Sequence, residues 1–253
     1  MDSDLVGIWQ GGLDGTTWWE RDADVPAYSA SLMKLPIAIA AERRHLRGEI
    51  DLDIEVLLHD DFDSALVGAH YVLDRDDDQD DATWDGLGTR ATLRELRRRA
   101  IVVSGNLATN LLLEHVGLLE VAAVLADAGV SERTQVVRGI DDGPAREAGH
   151  DNVVTAHDLG RLLGHTPEEV EDVMRDQHYR DAIPAGLPDD TPVANKTGWI
   201  TDHTHDLAIV RPSTEQGGEP FALVVLTRLV AVSYDDANAR IAAIAAEAWE
   251  RRR

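Results

Sequence analysis

The chain has 253 residues, 43% hydrophobic and 28% charged, with no cysteine. This composition predicts a globular protein with a sizeable core. It excludes fibrous and wholly disordered chains, disulfide frameworks, thiolate metal sites and thiol nucleophiles. Asp and Glu total 47 against 24 Lys and Arg, a formal net charge of −23, which repels phosphate backbones and anionic membranes, so neither nucleic acid nor membrane is expected as a partner.

Near the N-terminus, β-rich runs at Leu5–Trp9 and Thr16–Glu20 flank a Gly11-Gly12-Leu13-Asp14-Gly15 turn. The segment before them has no basic region followed by an apolar one, so the expected compartment is the cytoplasm, or the periplasm or exterior if a leader has been removed. A helical pattern covers Ser31–His45, and further helices are expected over 92–103, 106–116, 118–128 and 155–163. The acidic run Asp74–Asp85 reads as a solvated surface loop, since it lacks the fixed glycine and closing glutamate of a calcium loop. Strand-like runs at Asp206–Arg211 and Phe221–Arg228 are joined by a turn containing Gly217-Gly218. The last element, 234–251, is an amphipathic helix with Ile241, Ile244, Ala245, Ala248 and Trp249 on one face. Strands at both ends predict one antiparallel sheet from residues 1–50 and 191–253, with a helical lobe, residues 51–190, inserted in a single domain.

The basic residues are unevenly divided: 22 are arginine and only two, Lys34 and Lys196, are lysine. Where arginine has replaced nearly every lysine, the survivors point to an amine that must lose its proton. Lys34 ends Ser31-Leu32-Met33-Lys34, which puts hydroxyl and amine one helical turn apart. Lys196 opens Lys196-Thr197-Gly198, at a strand edge where the glycine admits a close neighbour. Between them, Ser104-Gly105-Asn106 breaks two helices. Each element alone also reads as a cap or a turn; their order, together with the two lone lysines, points to chemistry.

The ordered set Ser-x-x-Lys, Ser-x-Asn and Lys-Thr-Gly resembles the motifs of the serine β-lactamases and penicillin-binding proteins, the class A branch above all. The likeness extends through Ser104–Leu113, through Val153-Val154-Thr155-Ala156 and Leu159–Leu163, and to the 165 residues between Ser31 and Lys196. It implies an α+β fold of β-lactamase/transpeptidase type, with a five-stranded antiparallel sheet flanked by helices plus a helical lobe. It further implies an acylated nucleophile at Ser31. Lys34 would help deprotonate it, aided by desolvation and the positive charge of Lys196. Ser104 would relay a proton to the leaving nitrogen and Asn106 would hold a substrate amide. Lys196, Thr197 and Gly198 would serve the substrate carboxylate. The amides of Ser31 and Trp199 would form an oxyanion hole, worth roughly 3–4 kcal/mol per donor. No cofactor and no metal is implied, and the expected partner of this monomer is a small β-lactam or acyl-peptide.

Two departures matter. Gly105 replaces the usual aspartate of the second motif, which predicts a looser loop. The stretch Arg138–Glu147 has no Glu-x-x-x-Asn to position a deacylating water, leaving Asp141 and Asp142 as candidate bases or as plain loop charges, with Glu147 further along. Arg211 and Arg228 are the candidate carboxylate-binding arginines, and His205 is expected to bond a neighbouring turn. The implied activity is opening of a β-lactam amide through an acyl-enzyme. The alternatives are a D-Ala-D-Ala carboxypeptidase-like or esterase-like hydrolase that β-lactams acylate, or a sensor that binds β-lactams without turnover.

Overall fold

A computed structural model describes residues 4–253. In chain order the main strands are β1 (Leu5–Gly12), β2 (Thr17–Arg21), β3 (Val193–Ile200), β4 (His203–Val210) and β5 (Phe221–Arg228). The helices are α1 (Lys34–Leu46), α2 (Asp81–Asp85), α3 (Leu93–Val102), α4 (Asn106–Val116), α5 (Leu118–Asp127), α6 (Gly143–Glu147), α7 (Ala156–Leu163), α8 (Glu168–Arg175) and α9 (Tyr234–Glu250). The chain divides into two compact units. One runs through Leu32, Ala126–Thr134 and Val153–Arg253; the other comprises Met33–Leu125 and Gln135–Asn152.

The first unit is built on a five-stranded sheet in the order β2-β1-β5-β4-β3, with every neighbouring pair antiparallel. Strand β5, Phe221-Ala222-Leu223-Val224-Val225-Leu226-Thr227-Arg228, is buried along its first seven residues. Its apolar run, without the alternation of a half-exposed strand, suits a central strand covered on both faces. On one face Phe221, Leu223 and Val225 form a core with Ile241, Ala245, Ala248 and Trp249 of α9, the stripe expected from the sequence. Ser233 caps that helix by accepting from the Asp236 amide at 3.1 Å. On the other face α7 packs against β1, β4 and β5. A side chain at Gly160 would run into the indole of Trp9, so the glycine lets the helix lie flat on the sheet.

In the second unit α1 is buried from Lys34 to Glu42 and packs on α3 and α4. Glu42, at the end of this buried stretch, pairs with Arg97 of α3 in the interior. The unit boundaries differ from the expected lobes for two reasons of packing. The helix after Ser31 joins the other helices, and the segment from Val153 onward covers the sheet.

The acidic run Asp74–Asp85 is corrected from a solvated loop. Most of its side chains stay exposed, but it folds into a short 3-10 turn and α2, buries Trp84 and Asp80, and half-buries Asp78. Asp78 accepts from the Trp84 indole at 2.9 Å and from the amides of Asn106 and Leu107, each at 2.8 Å. It thereby caps α4, whose own preceding residue Gly105 has no side chain to do so.

Candidate active site

Ser31 lies in the 3-10 turn Ala30–Met33 that leads directly into α1. Ala30 is held at φ +43°, a left-handed conformation uncommon for alanine. In the same unit β3 passes against this turn. A Cβ at Gly198 would lie 2.9 Å from the Ser31 amide nitrogen and 3.2 Å from that of Leu32, so only glycine permits the approach. Strand alternation puts Lys196 and Gly198 on one face of β3 and Asn195, Thr197 and Trp199 on the other.

Both lysines, long and charged, are fully buried. Lys196 donates to the Thr197 carbonyl at 2.6 Å, and its charge acts on Asp206. Asp206 is itself buried, accepts from the Ile183 amide at 2.9 Å and Asn195 Nδ2 at 3.1 Å, and is pushed up to about 7 by burial. The Thr197 hydroxyl is buried without a hydrogen-bond partner among the described residues, an open valence beside the motif lysine.

In the helical unit Lys34 Nζ donates to the Ser104 carbonyl at 2.6 Å and to Asn106 Oδ1 at 2.7 Å, with Ser104 Oγ at 3.4 Å. The first and second motifs therefore meet around one amine. Burial lowers the Lys34 pKa to about 7, against the opposing pull of Asp78, Asp141 and Asp80. Desolvation is thus the expected cause, while the charges acting within this unit work against it. Asn106 is engaged at both ends, since its Nδ2 also donates to the Asp77 carbonyl at 2.8 Å. A substrate amide would compete for that donor.

Gly105 does not loosen the second motif. Ser104 sits at φ +60°, the Gly105 amide donates to the Arg99 carbonyl at 3.1 Å, and its carbonyl accepts from Thr109 Oγ1 at 2.6 Å. A Cβ at Gly105 would lie 2.9 Å from both Cβ and Oδ2 of Asp80. The buried Asp80, bonded to Thr83 and to Arg99 at 3.0 Å, fills the space where a side chain would go.

The two candidate bases separate. Asp142 is buried, accepts from Ser64 Oγ at 2.6 Å and the Ala65 amide at 2.8 Å, and caps α6 through the Ala145 amide at 3.1 Å. Those three bonds tie its carboxylate into the fold. Asp141 keeps solvent access at φ +54°, and its pKa is raised by desolvation and by Asp77, with Lys34 pulling the other way. Arg138 of the same stretch is buried, donating to the His150 carbonyl at 2.9 Å and pairing with Asp151 at 3.3 Å.

Of the candidate arginines, Arg211 is taken up by Glu171, with bonds of 2.6 and 2.7 Å, and Arg228 lies at the end of β5 opposite His203. Sequence reasoning missed Arg180, whose guanidinium reaches the Val193 carbonyl and Asn195 Oδ1 beside the third motif. No local pattern marks it, because a loop far from either strand delivers it. His205 accepts from the Thr227 amide on Nδ1 at 3.0 Å, so Nε2 carries the hydrogen and donates to the Tyr28 carbonyl at 2.9 Å. This is the structural role expected of it, and burial lowers its pKa to about 4. Among the described residues no cluster of three His, Asp or Glu side chains could hold a metal, and no single helix is long and apolar enough to cross a membrane.

The fold is that of solved β-lactamases. The chain is 22% identical to L2 in its complex with relebactam, with a TM-score of 0.81, covering 98% of this chain and 91% of that one. It is 21% identical to a beta lactamase from Xanthomonas campestris pv. campestris, with a TM-score of 0.79 and coverages of 96% and 90%. A structure of PBP-A matches at 19% identity and a TM-score of 0.76, covering 99% of this chain and 90% of that one. No curated protein matches. A sequence model described as the beta-lactamase enzyme family matches residues 2–251. With its motifs, its five-stranded sheet and nearly its whole length accounted for, the chain belongs to the beta-lactamase enzyme family.

Proposed function

We propose that the protein is a serine hydrolase of class A type that opens the β-lactam amide bond through an acyl-enzyme on Ser31. The observation that carries this reading is Lys34. A fully buried amine with its pKa lowered to about 7 stands three residues after a half-exposed serine on one helical run. In acylation, neutral Lys34 takes the proton of Ser31 Oγ, the oxygen bonds to the carbonyl carbon, and the oxyanion is received by the Ser31 and Trp199 amides. The C–N bond then breaks, and the nitrogen takes its proton through Ser104. Lys196, Thr197 and Gly198 serve the substrate carboxylate, the unpartnered Thr197 hydroxyl supporting this role.

Deacylation falls to Asp141. It would take a proton from water as the water oxygen bonds to the ester carbon; the bond from that carbon to Ser31 Oγ then breaks, the ring-opened acid leaves, and the abstracted proton passes to Ser31 Oγ to restore the hydroxyl. A second reading is favoured by the absence of Glu-x-x-x-Asn in residues 138–147 and by the commitment of Asp142 to a cap. It is a penicillin-binding peptidase or sensor that β-lactams acylate and seldom leave.

Intact-protein mass after addition of a penicillin tests both. A transient or undetected adduct with the penicillin consumed supports the hydrolase, and a lasting adduct on Ser31 supports the second reading. Both fail if Ser31→Ala leaves adduct and hydrolysis unchanged, or if the wild type shows neither.

A further inference from the structure

Asp78 is tied to the second motif by more than a helix cap. Its Oδ1 accepts from the Asn106 amide and its Oδ2 from the Leu107 amide, each at 2.8 Å. The Trp84 indole at 2.9 Å and the Asp80 amide at 3.2 Å hold the carboxylate in place. All four partners are neutral N–H donors, so they orient its charge without cancelling it. Asp80, by contrast, shares its charge with Arg99 at 3.0 Å. Asn106 is thereby fixed at its backbone, and its Nδ2 donates to the Asp77 carbonyl at 2.8 Å. With the side-chain amide turned that way, Oδ1 is the atom left to meet Lys34, 2.7 Å from Nζ.

That contact decides where Lys34 can take a proton. A neutral amine has two N–H groups and one lone pair. The Ser104 carbonyl at 2.6 Å and Asn106 Oδ1 at 2.7 Å receive the two hydrogens, which confines the lone pair to the remaining tetrahedral position. The Ser104 carbonyl belongs to the motif itself, whereas Asn106 is anchored from outside it. Against the burial of Lys34 stand three carboxylates that favour the ammonium: Asp78 first, then Asp141 and Asp80. Further along α1, Glu42 is matched by Arg97 of α3.

We propose that Asp78 is a positioning residue for the acylation centre: it anchors Asn106, which aims the lone pair of Lys34, and it supplies an uncancelled negative charge beside the second motif. This role presumes Lys34 as the base for Ser31. Loss of the Asp78 carboxylate acts on protonation in one direction only, because the ammonium loses both a counter-charge and a well-placed acceptor. The amine then becomes neutral at lower pH but is less well aimed.

The chain has only two lysines, so an isotopic label at the lysine ε-carbon gives two NMR signals, and Lys34→Arg identifies them. In substrate-free protein the Lys34 midpoint is expected at least about half a pH unit lower in Asp78→Asn than in the wild type, with Lys196 little changed. In stopped-flow acylation by a chromogenic cephalosporin, the same variant should reach half its plateau rate at correspondingly lower pH. The plateau itself should fall on the order of tenfold, since the base is misaimed. Asp78→Ser keeps one oxygen for the α4 amides without the charge, and serves if Asp78→Asn does not fold; its midpoint should fall equally and its plateau less. Thr92→Ala strips the cap of α3, where Thr92 accepts from the Glu95 amide at 3.1 Å. It lowers stability without touching Asn106, and should leave midpoint and plateau at the wild-type values. An unmoved or raised Lys34 midpoint in the Asp78 variants, a wild-type plateau in both, or an equal effect of Thr92→Ala would each overturn the proposal. If no β-lactam acylates the wild type, the reading of Ser31 falls, and the lysine titration, which needs no substrate, still decides whether Asp78 governs Lys34.

Discussion

Restoring the family's usual aspartate at position 105 separates two accounts of the second motif. If Gly105 merely loosened the loop, Gly105→Asp would stabilise it. The structure implies the reverse, because the new Cβ would sit 2.9 Å from both Cβ and Oδ2 of Asp80. Asp80 has no room to withdraw, being buried and bonded to Thr83 and Arg99. Forcing atoms into a packed site costs about 1–3 kcal/mol, before the added repulsion between two carboxylates. For a chain of this size that corresponds to a fall in Tm of roughly 2–12 °C. Thermal and urea denaturation read it directly, with the urea m-value unchanged if only the native state is strained. The pair should be coupled: Gly105→Asp with Asp80→Ala should be at least ~1 kcal/mol more stable than the sum of the single changes. A Gly105→Asp protein as stable as the wild type would refute this account.

Lys34 acts as a base only when neutral, so the acylation rate should rise with pH through about 7 and level off above it; a flat profile between pH 5 and 9 in stopped-flow acylation would contradict the assigned role. Lys34→Arg, which cannot surrender its proton, should abolish acylation. Asp141→Asn should slow deacylation and let the acyl-enzyme accumulate in mass spectra, whereas Asp142→Asn should lower Tm with much less effect on deacylation. Asp78→Ala strips the cap from two amides of α4 and should lower stability by about 1–2 kcal/mol in urea titrations. Asp206, whose folded pKa burial raises from the ordinary carboxylate range to about 7, binds a proton more tightly in the native state than in the unfolded chain. Its contribution is present below about pH 4 and lost as pH rises toward 7. The stability difference between wild type and Asp206→Asn should therefore shift against the wild type across that window.

The catalytic candidates were legible because each is bound to a local pattern. Ser31 and Lys34 share a helical turn, Ser104 and Asn106 stand at a helix start, and Lys196 sits beside a glycine on a strand; the scarcity of lysine drew attention to two positions that prove fully buried. The final helix and the all-apolar β5 were equally readable, since their periodicities are set by the elements themselves. What local pattern could not supply is how distant side chains share one space. Asp78 and Asp80 look like any solvated acid in a run of aspartates, yet one caps α4 and the other occupies the place of a side chain at Gly105. Asp141 and Asp142 are neighbours of the same chemistry, and only the bonds to Ser64, Ala65 and Ala145 commit one to structure and leave the other open. Residue type and short-range spacing follow from the chain alone. Burial, and with it the lowered pKa of Lys34 and the raised pKa of Asp206, belongs to groups brought together from far apart, and only the folded packing decides it.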